Sequence, residues 1–145
     1  MLAINEFDTA KAGAFEERMG ETLNAGALNL MISIGHRTGL YDIMAKMGVG
    51  TSQEIADRAN LNERYVREWL GAMVTSNFVD HDHIANTYEL PAEHAACLTR
   101  NSAPNNVAVY SQYIAVLGAV EDDVVDCFEN GGGVPYERYK RFHEV

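Results

Sequence analysis

Apolar and polar positions change period several times along the chain, and each change marks an element. From Thr22 to about Arg37, Leu23, Ala27, Leu30, Met31 and Ile34 recur at helical spacing, and Leu28 and Ile32 add a second apolar side. A helix apolar on two sides needs two covers: its own core, and a partner chain or a further domain. Residues 1–20 are mixed and charged, with Phe7 and Phe15 as candidate anchors and Gly13 and Gly20 as weak points. They predict a loose arm followed by a short helix. Leu40, Ile43, Met44 and Met47 mark a short second helix, opened by Gly39 and closed by Gly48. Thr51 or Ser52 caps the next; Glu54, three after Thr51, has capping-box spacing, and Ile55 and Ala59 face inward. Leu61 sits in the turn. Asn62 caps a fourth helix with a wide stripe of Tyr65, Val66, Trp69, Leu70, Met73 and Val74, and Asn77 suits a left-handed stop. Phe78 to about Asp82 and Thr87 to Leu90 read as a hairpin. Helix, helix, turn, helix, hairpin is the winged-helix order.

After Pro91 the pattern returns to helices. "AEHAACLTR" is short, and Pro104 is placed for the first turn of a long helix through "NNVAVYSQYIAVLG". "AVEDDVVDCFEN" follows Gly118, with Glu121, Asp122 and Asp123 where a helix dipole favours negative charge, and stops at Gly131–Gly133. Pro135 then opens another helix over "VPYERYKRFHEV". The expected fold is mainly α: a winged helix-turn-helix with a short β-hairpin wing plus additional N- and C-terminal helices. The expected organisation is an arm with a short helix over 1–20, a winged-helix domain over 21–91, a helical dimerisation and linker segment over 92–133, and a connection beginning at 134–145.

Composition narrows the function. A chain of 145 residues fits one domain with a real core. The formal net charge of −10 disfavours unspecific binding to DNA or anionic membranes, though it leaves room for a local basic patch. The candidate recognition helix, Asn62 to Asn77, sets Arg64 and Arg67 against Glu63 and Glu68 and is neutral. The wing carries Asp80, Asp82 and Glu89 with no Lys or Arg, a net −3. A winged helix gripping DNA puts positive charge on both elements, so no nucleic-acid partner is expected. The stretch from Thr22 to Gly35 is shorter than the roughly 20 residues a bilayer requires, so no membrane partner is expected either. Cys97 and Cys127 are far apart, in no CxxC pattern and behind no signal peptide, which reads as reduced thiols in the cytoplasm.

Candidate chemistry is sparse. His81 and His83 share one face if "DHDH" is a strand, but two ligands without a third fall short of a metal site, and none is expected. His36 lies at a helix end, where a cation is favourable. His94 has no visible partner. No Ser-His-Asp or Cys-His set is visible.

The strings "NAGALNLMISIGHRTGLYDIMAKM", "TSQEIADRANLNERYVREWLGAMVTSNFVD", "YELPAEHAACLTR" and "DCFENGGGVPYERYKRFHEV" together closely resemble the N-terminal region of a group of bacterial and mycobacterial-type S-adenosylmethionine-dependent methyltransferases. Some of these are labelled transcriptional regulators because of their winged helix. The resemblance runs from about residue 20 to the end. It implies a winged-helix domain that forms a homodimer and helps cover the active site for a small-molecule substrate, followed in the family by a Rossmann-like domain holding the cofactor. It also implies that the segment joining the domains approaches the substrate. Tyr136, Phe142 and His143 on that segment, with Tyr110, Gln112 and Tyr113 on the preceding helix, are the candidate substrate-lining residues. A cofactor site needs a strand, a glycine-rich turn and a helix. Gly131–Gly133 follow a predicted helix and read as a stop and linker. The expectation is therefore a truncated, non-catalytic chain that binds no cofactor and has no catalytic residue of its own. The alternative is a dimeric winged-helix transcriptional regulator.

Overall fold

The structure, a computed structural model, describes residues 7–145. The arm expected over the first residues lies, for residues 1–6, outside the described residues.

Helix α1 is a single element, Thr9–Thr38, of 30 residues. It spans about 45 Å at the usual rise. The break expected near residue 20 is not there. Asp8 caps it by accepting from the Lys11 amide at 3.0 Å. Gly13, Gly20 and Gly26 meet no heavy atom within 4 Å, so each lowers helix propensity without a steric reason to break the helix. Residues 9–27 are almost entirely exposed, and only the last third of α1 packs on the rest of the chain. Leu28, Met31 and Ile32 meet the core there. Leu23, Leu30 and Ile34, assigned to an apolar stripe with Met31, face outward.

α1 ends at Gly39 (φ 76), whose left-handed backbone turns the chain directly into α2, Leu40–Met47. α3, Ser52–Ala59, begins with the Thr51–Glu54 capping box. Asn60 (φ 52) closes it, with Leu61 N–H donating to the Ala56 carbonyl at 2.9 Å. α4, Glu63–Thr75, starts at the Asn62 cap and ends in a Schellman motif. In that motif Asn77 takes φ 59, and Phe78 N–H donates to the Met73 carbonyl at 2.8 Å. β1, Asp80–Asp82, and β2, Thr87–Glu89, pair antiparallel with His81 opposite Tyr88. Gly50 adds a bridge to Tyr88, tying the loop before α3 to the wing.

The core is built from Leu40, Tyr41 and Met44 of α2, Ile55 of α3, Val66, Trp69, Leu70 and Met73 of α4, and Val79, Tyr88 and Leu90 around the wing. Tyr65, expected in the stripe of α4, is 71% exposed. α5, Ala92–Leu98, adds Leu98 to the same core.

Beyond α5 the structure departs from the pattern. Pro104 opens no helix. The Ala103–Pro104 peptide is cis, and Ala103 takes the extended conformation that a following proline favours (φ −53, ψ 137). The chain doubles back, and Val107 N–H donates to the Cys97 carbonyl at 2.9 Å. A 3-10 turn, Ala108–Ser111, leads into α6, Gln112–Gly118, and both pack on the end of α1. α7, Glu121–Asn130, carries its acidic first turn as expected and ends at Gly131 (φ 74). The helix expected over 134–145 is two 3-10 turns, Tyr136–Arg138 and Phe142–Glu144. Between them Arg141 has φ 67, outside the helical region, so no continuous helix can pass through it.

Candidate functional site

Two surfaces were candidates: the outer side of α4 with the wing, and the residues around α6 and the C-terminal turns. On the first, Arg64 and Arg67 are exposed beside acidic neighbours. Arg67 Nε lies 3.8 Å from Glu63 Oε1, one turn earlier, and Ser52 Oγ donates to the same oxygen at 2.7 Å. In the wing turn Asp82 accepts from the Ile84 and Ala85 amides at 2.8 and 3.0 Å, bonds that hold its carboxyl below the usual range. The surface offers Arg67, paired with Glu63, the exposed Arg64, and a wing with three carboxylates, not converging cations.

The wing histidines are occupied with each other. The His81 ring stacks on Tyr88, with centroids 4.4 Å apart, and meets His83 edge-on at 4.4 Å. His81 Nε2 donates to Asn86 Oδ1 at 3.2 Å. Among the described residues no three His, Cys, Asp or Glu side chains gather at metal-ligand spacing.

Two further histidines depart from expectation. His94 has a partner: its Nδ1 donates to the Phe78 carbonyl at 2.9 Å. His36 is buried, with Nδ1 unpartnered, and desolvation followed by the nearby Arg100 charge pushes its pKa down, against an opposing pull from Asp42. The helix-end cation expected there is disfavoured, first because the ring is buried and then because Arg100 already holds the site. Its guanidinium pairs with Asp42 and donates to the His36 carbonyl.

The second surface gathers every candidate substrate-lining residue. Tyr110 stacks near Tyr113 at 6.4 Å, and Tyr113 meets Phe142 at 5.4 Å. Phe142 lies 5.6 Å from Tyr136, which lies 5.1 Å from His143. Gln112, buried at the start of α6, is joined to the group by Arg141, whose Nη2 donates to Gln112 Oε1 at 2.7 Å. Arg138 clamps the segment to α7 with two 2.8 Å bonds to Asp123, which hold that carboxyl below its usual range. Sequence reading missed Tyr139, 6.4 Å from both Tyr136 and Phe142, and Arg141. Tyr139 sits in the same aromatic-rich string and was open to notice. The role of Arg141 depends on a residue 29 positions away and was not.

Gly131–Gly133 follow α7, and no strand leads into them; the strands of the described residues are the two of the wing. These residues do not fit a nucleoside or S-adenosylmethionine cradle, which needs a strand before its glycine turn. No helix of the described residues is long and apolar enough to cross a membrane.

Helices α2 to α4 with the paired strands define a winged helix-turn-helix domain, extended by one long helix before it and short helices after it. Residues 26–100 match the model of the Rv2258c-like winged HTH domain, and the chain belongs to that family. Solved structures share the fold at low identity. The mitomycin 7-O-methyltransferase MmcR superposes with a TM-score of 0.68 at 17% identity, over 95% of this chain and 39% of that one. The S-adenosylmethionine-dependent methyltransferase SibL does so with 0.59 at 19%, over 83% and 38%. PigF, solved with SAH, gives 0.57 at 20%, over 80% and 37%. The chain thus spans less than two-fifths of the length of these proteins. No curated protein sequence matches it.

Proposed function

We propose that this chain is the dimerisation and substrate-covering domain of an S-adenosylmethionine-dependent methyltransferase, located in the cytoplasm and without catalytic activity or cofactor binding by itself. One observation carries the reading. The first two-thirds of α1 extends away from the core with Phe15, Met19 and Leu23 exposed, the last at 69%, and Leu30 and Ile34 continue the apolar side. Ile114 and Leu117 of α6 and Val125 and Phe128 of α7 are also exposed, Phe128 at 88%. So much apolar surface on an acidic chain calls for a cover, and a second copy supplies one of the same size and character. Obligate homodimers bury on the order of 2,000 Å² or more. In this reading α1 and the segment over 92–133 form the dimer contacts around the winged helix, and residues 134–145 connect it to the remainder of the enzyme. The aromatic residues around Tyr113 and Phe142 would form part of the wall facing a small-molecule methyl acceptor.

Sedimentation velocity at micromolar concentration tests the central claim. A compact dimer supports it; a stable, non-aggregating monomer removes it. The rival regulator reading predicts a steeply salt-dependent shift of duplex DNA. Calorimetric titration of the 145-residue chain with S-adenosylmethionine is expected to give no heat of binding.

A further inference from the structure

Gln112 is an unusual residue to bury. It is 7% exposed at the start of α6, and its Nε2 donates to the Val109 carbonyl at 3.3 Å. Its Oε1 accepts from Arg141, and a buried amide oxygen stripped of its donor costs more than the bond itself is worth. Arg141 uses two edges of its guanidinium, Nη2 toward Gln112 and Nε toward Glu144 Oε2 at 3.2 Å. Its backbone is left-handed, a conformation in which an L side chain is disfavoured, so some interaction must hold it there. That turn sits immediately before Phe142 and His143, the two residues that reach Tyr113 and Tyr136.

We propose that Arg141 is a positioning residue: its left-handed turn and its forked hold on Gln112 and Glu144 set Phe142 and His143 against Tyr113 and Tyr136, and so shape the aromatic wall. The proposal rests on the substrate-covering reading for its purpose, but its geometry stands apart from it. Apolar packing alone would let Phe142 slide over the tyrosines. Two bonds from one planar guanidinium, to Gln112 and to Glu144, fix its distance and its direction together. A lysine keeps the charge and loses the fork.

The test uses the whole 145-residue chain, isotope-labelled. Ring-to-ring nuclear Overhauser effects between Tyr113 and Phe142 report the wall, and amide exchange over residues 136–144 reports the docking. Arg141→Gly keeps the turn, because glycine takes positive φ freely, and removes the tether. Its ring-to-ring effects should vanish, and exchange over 136–144 should rise at least about tenfold, with α4 amides unchanged. Arg141→Lys should fall between the two. Gln112→Leu should copy Arg141→Gly; if it fails to fold, Arg141→Gly alone decides. Overhauser effects that persist in Arg141→Gly, with exchange within about twofold of the parent, overturn the proposal. The two readings fail separately. A monomeric parent in sedimentation velocity removes the substrate-covering reading, while loss of the Tyr113–Phe142 effects in the variants still supports the positioning role.

Discussion

Gly35 of α1 lies directly under Trp69 of α4: a Cβ at Gly35 would sit 2.5 Å from Trp69 Cζ2 and 2.8 Å from Tyr41 Cε2. Neither ring has freedom to retreat. The Trp69 indole N–H donates to the Met31 carbonyl at 2.9 Å, and the Tyr41 hydroxyl contacts Met73 Sδ at 3.2 Å. The ring centroids of Tyr41 and Trp69 are 5.2 Å apart, edge to face. This contact joins the long helix to the helix-turn-helix.

Gly35→Ala should therefore destabilise the fold. Alanine gains about 1 kcal/mol of helix propensity, but overpacking against two pinned rings costs about 1–3 kcal/mol. A net loss of up to about 2 kcal/mol should appear as a lower urea midpoint. Gly71→Ala on the open side of α4, where a Cβ meets nothing within 4 Å, should instead raise the midpoint. Equal shifts for the two variants would show that the close approach is not tight in solution.

The proposed dimer face makes a separate prediction. Leu23→Arg with Ile34→Arg places two charges on the exposed side of α1, away from the core. Each should weaken self-association by on the order of 1–3 kcal/mol, so the pair raises the dimer dissociation constant at least about tenfold. Light scattering should show monomer while far-ultraviolet dichroism stays unchanged. A dimer that persists would place the interface elsewhere.

Acid should loosen the junction of α1, α2 and the Arg100 turn. In the folded chain His36 has a pKa below its ordinary 6.5, because burial and Arg100 oppose its protonation. The unfolded chain binds that proton near pH 6.5, so stability is complete above this value and declines as pH falls toward the folded pKa. Denaturation midpoints at pH 7.5 and 5.5 should converge in His36→Gln relative to the parent. An unchanged pH slope would acquit His36.

Asn77 should be replaceable by glycine and by little else. It holds φ 59 at the end of α4, where the Phe78 amide closes the helix. Asn77→Ala should cost about 1 kcal/mol, from the left-handed backbone penalty, and Asn77→Gly close to nothing. Thermal melting of the pair checks this; equal melting temperatures would mean the penalty is absorbed elsewhere.

Much of the fold was open to reading because it is decided within a few residues. The Thr51–Glu54 box, the Asn62 cap, the left-handed Asn77 and the stop at Gly131 are local hydrogen-bonding choices. The same local reading erred where local signals were overridden. Gly13 and Gly20 suggested a break, yet they only weaken a helix that continues through them. Pro104 suited a helix start, yet the chain turns back to bond Cys97 instead.

What the amino-acid order determined alone was the alternation of helices, turn and wing, the lack of net positive charge on the would-be groove-facing elements, and the string of aromatic residues near the end. Tertiary structure decided which apolar side of α1 is buried, since that depends on where Gly35 lets Trp69 approach. It also decided that Tyr110, Tyr113, Tyr136, Phe142 and His143 share one surface, since Arg141 reaches Gln112 across 29 positions and Arg138 reaches Asp123 across 15. Periodicity carries information over one or two turns, whereas contacts between distant segments are selected by shape, charge and burial only once the chain has closed on itself.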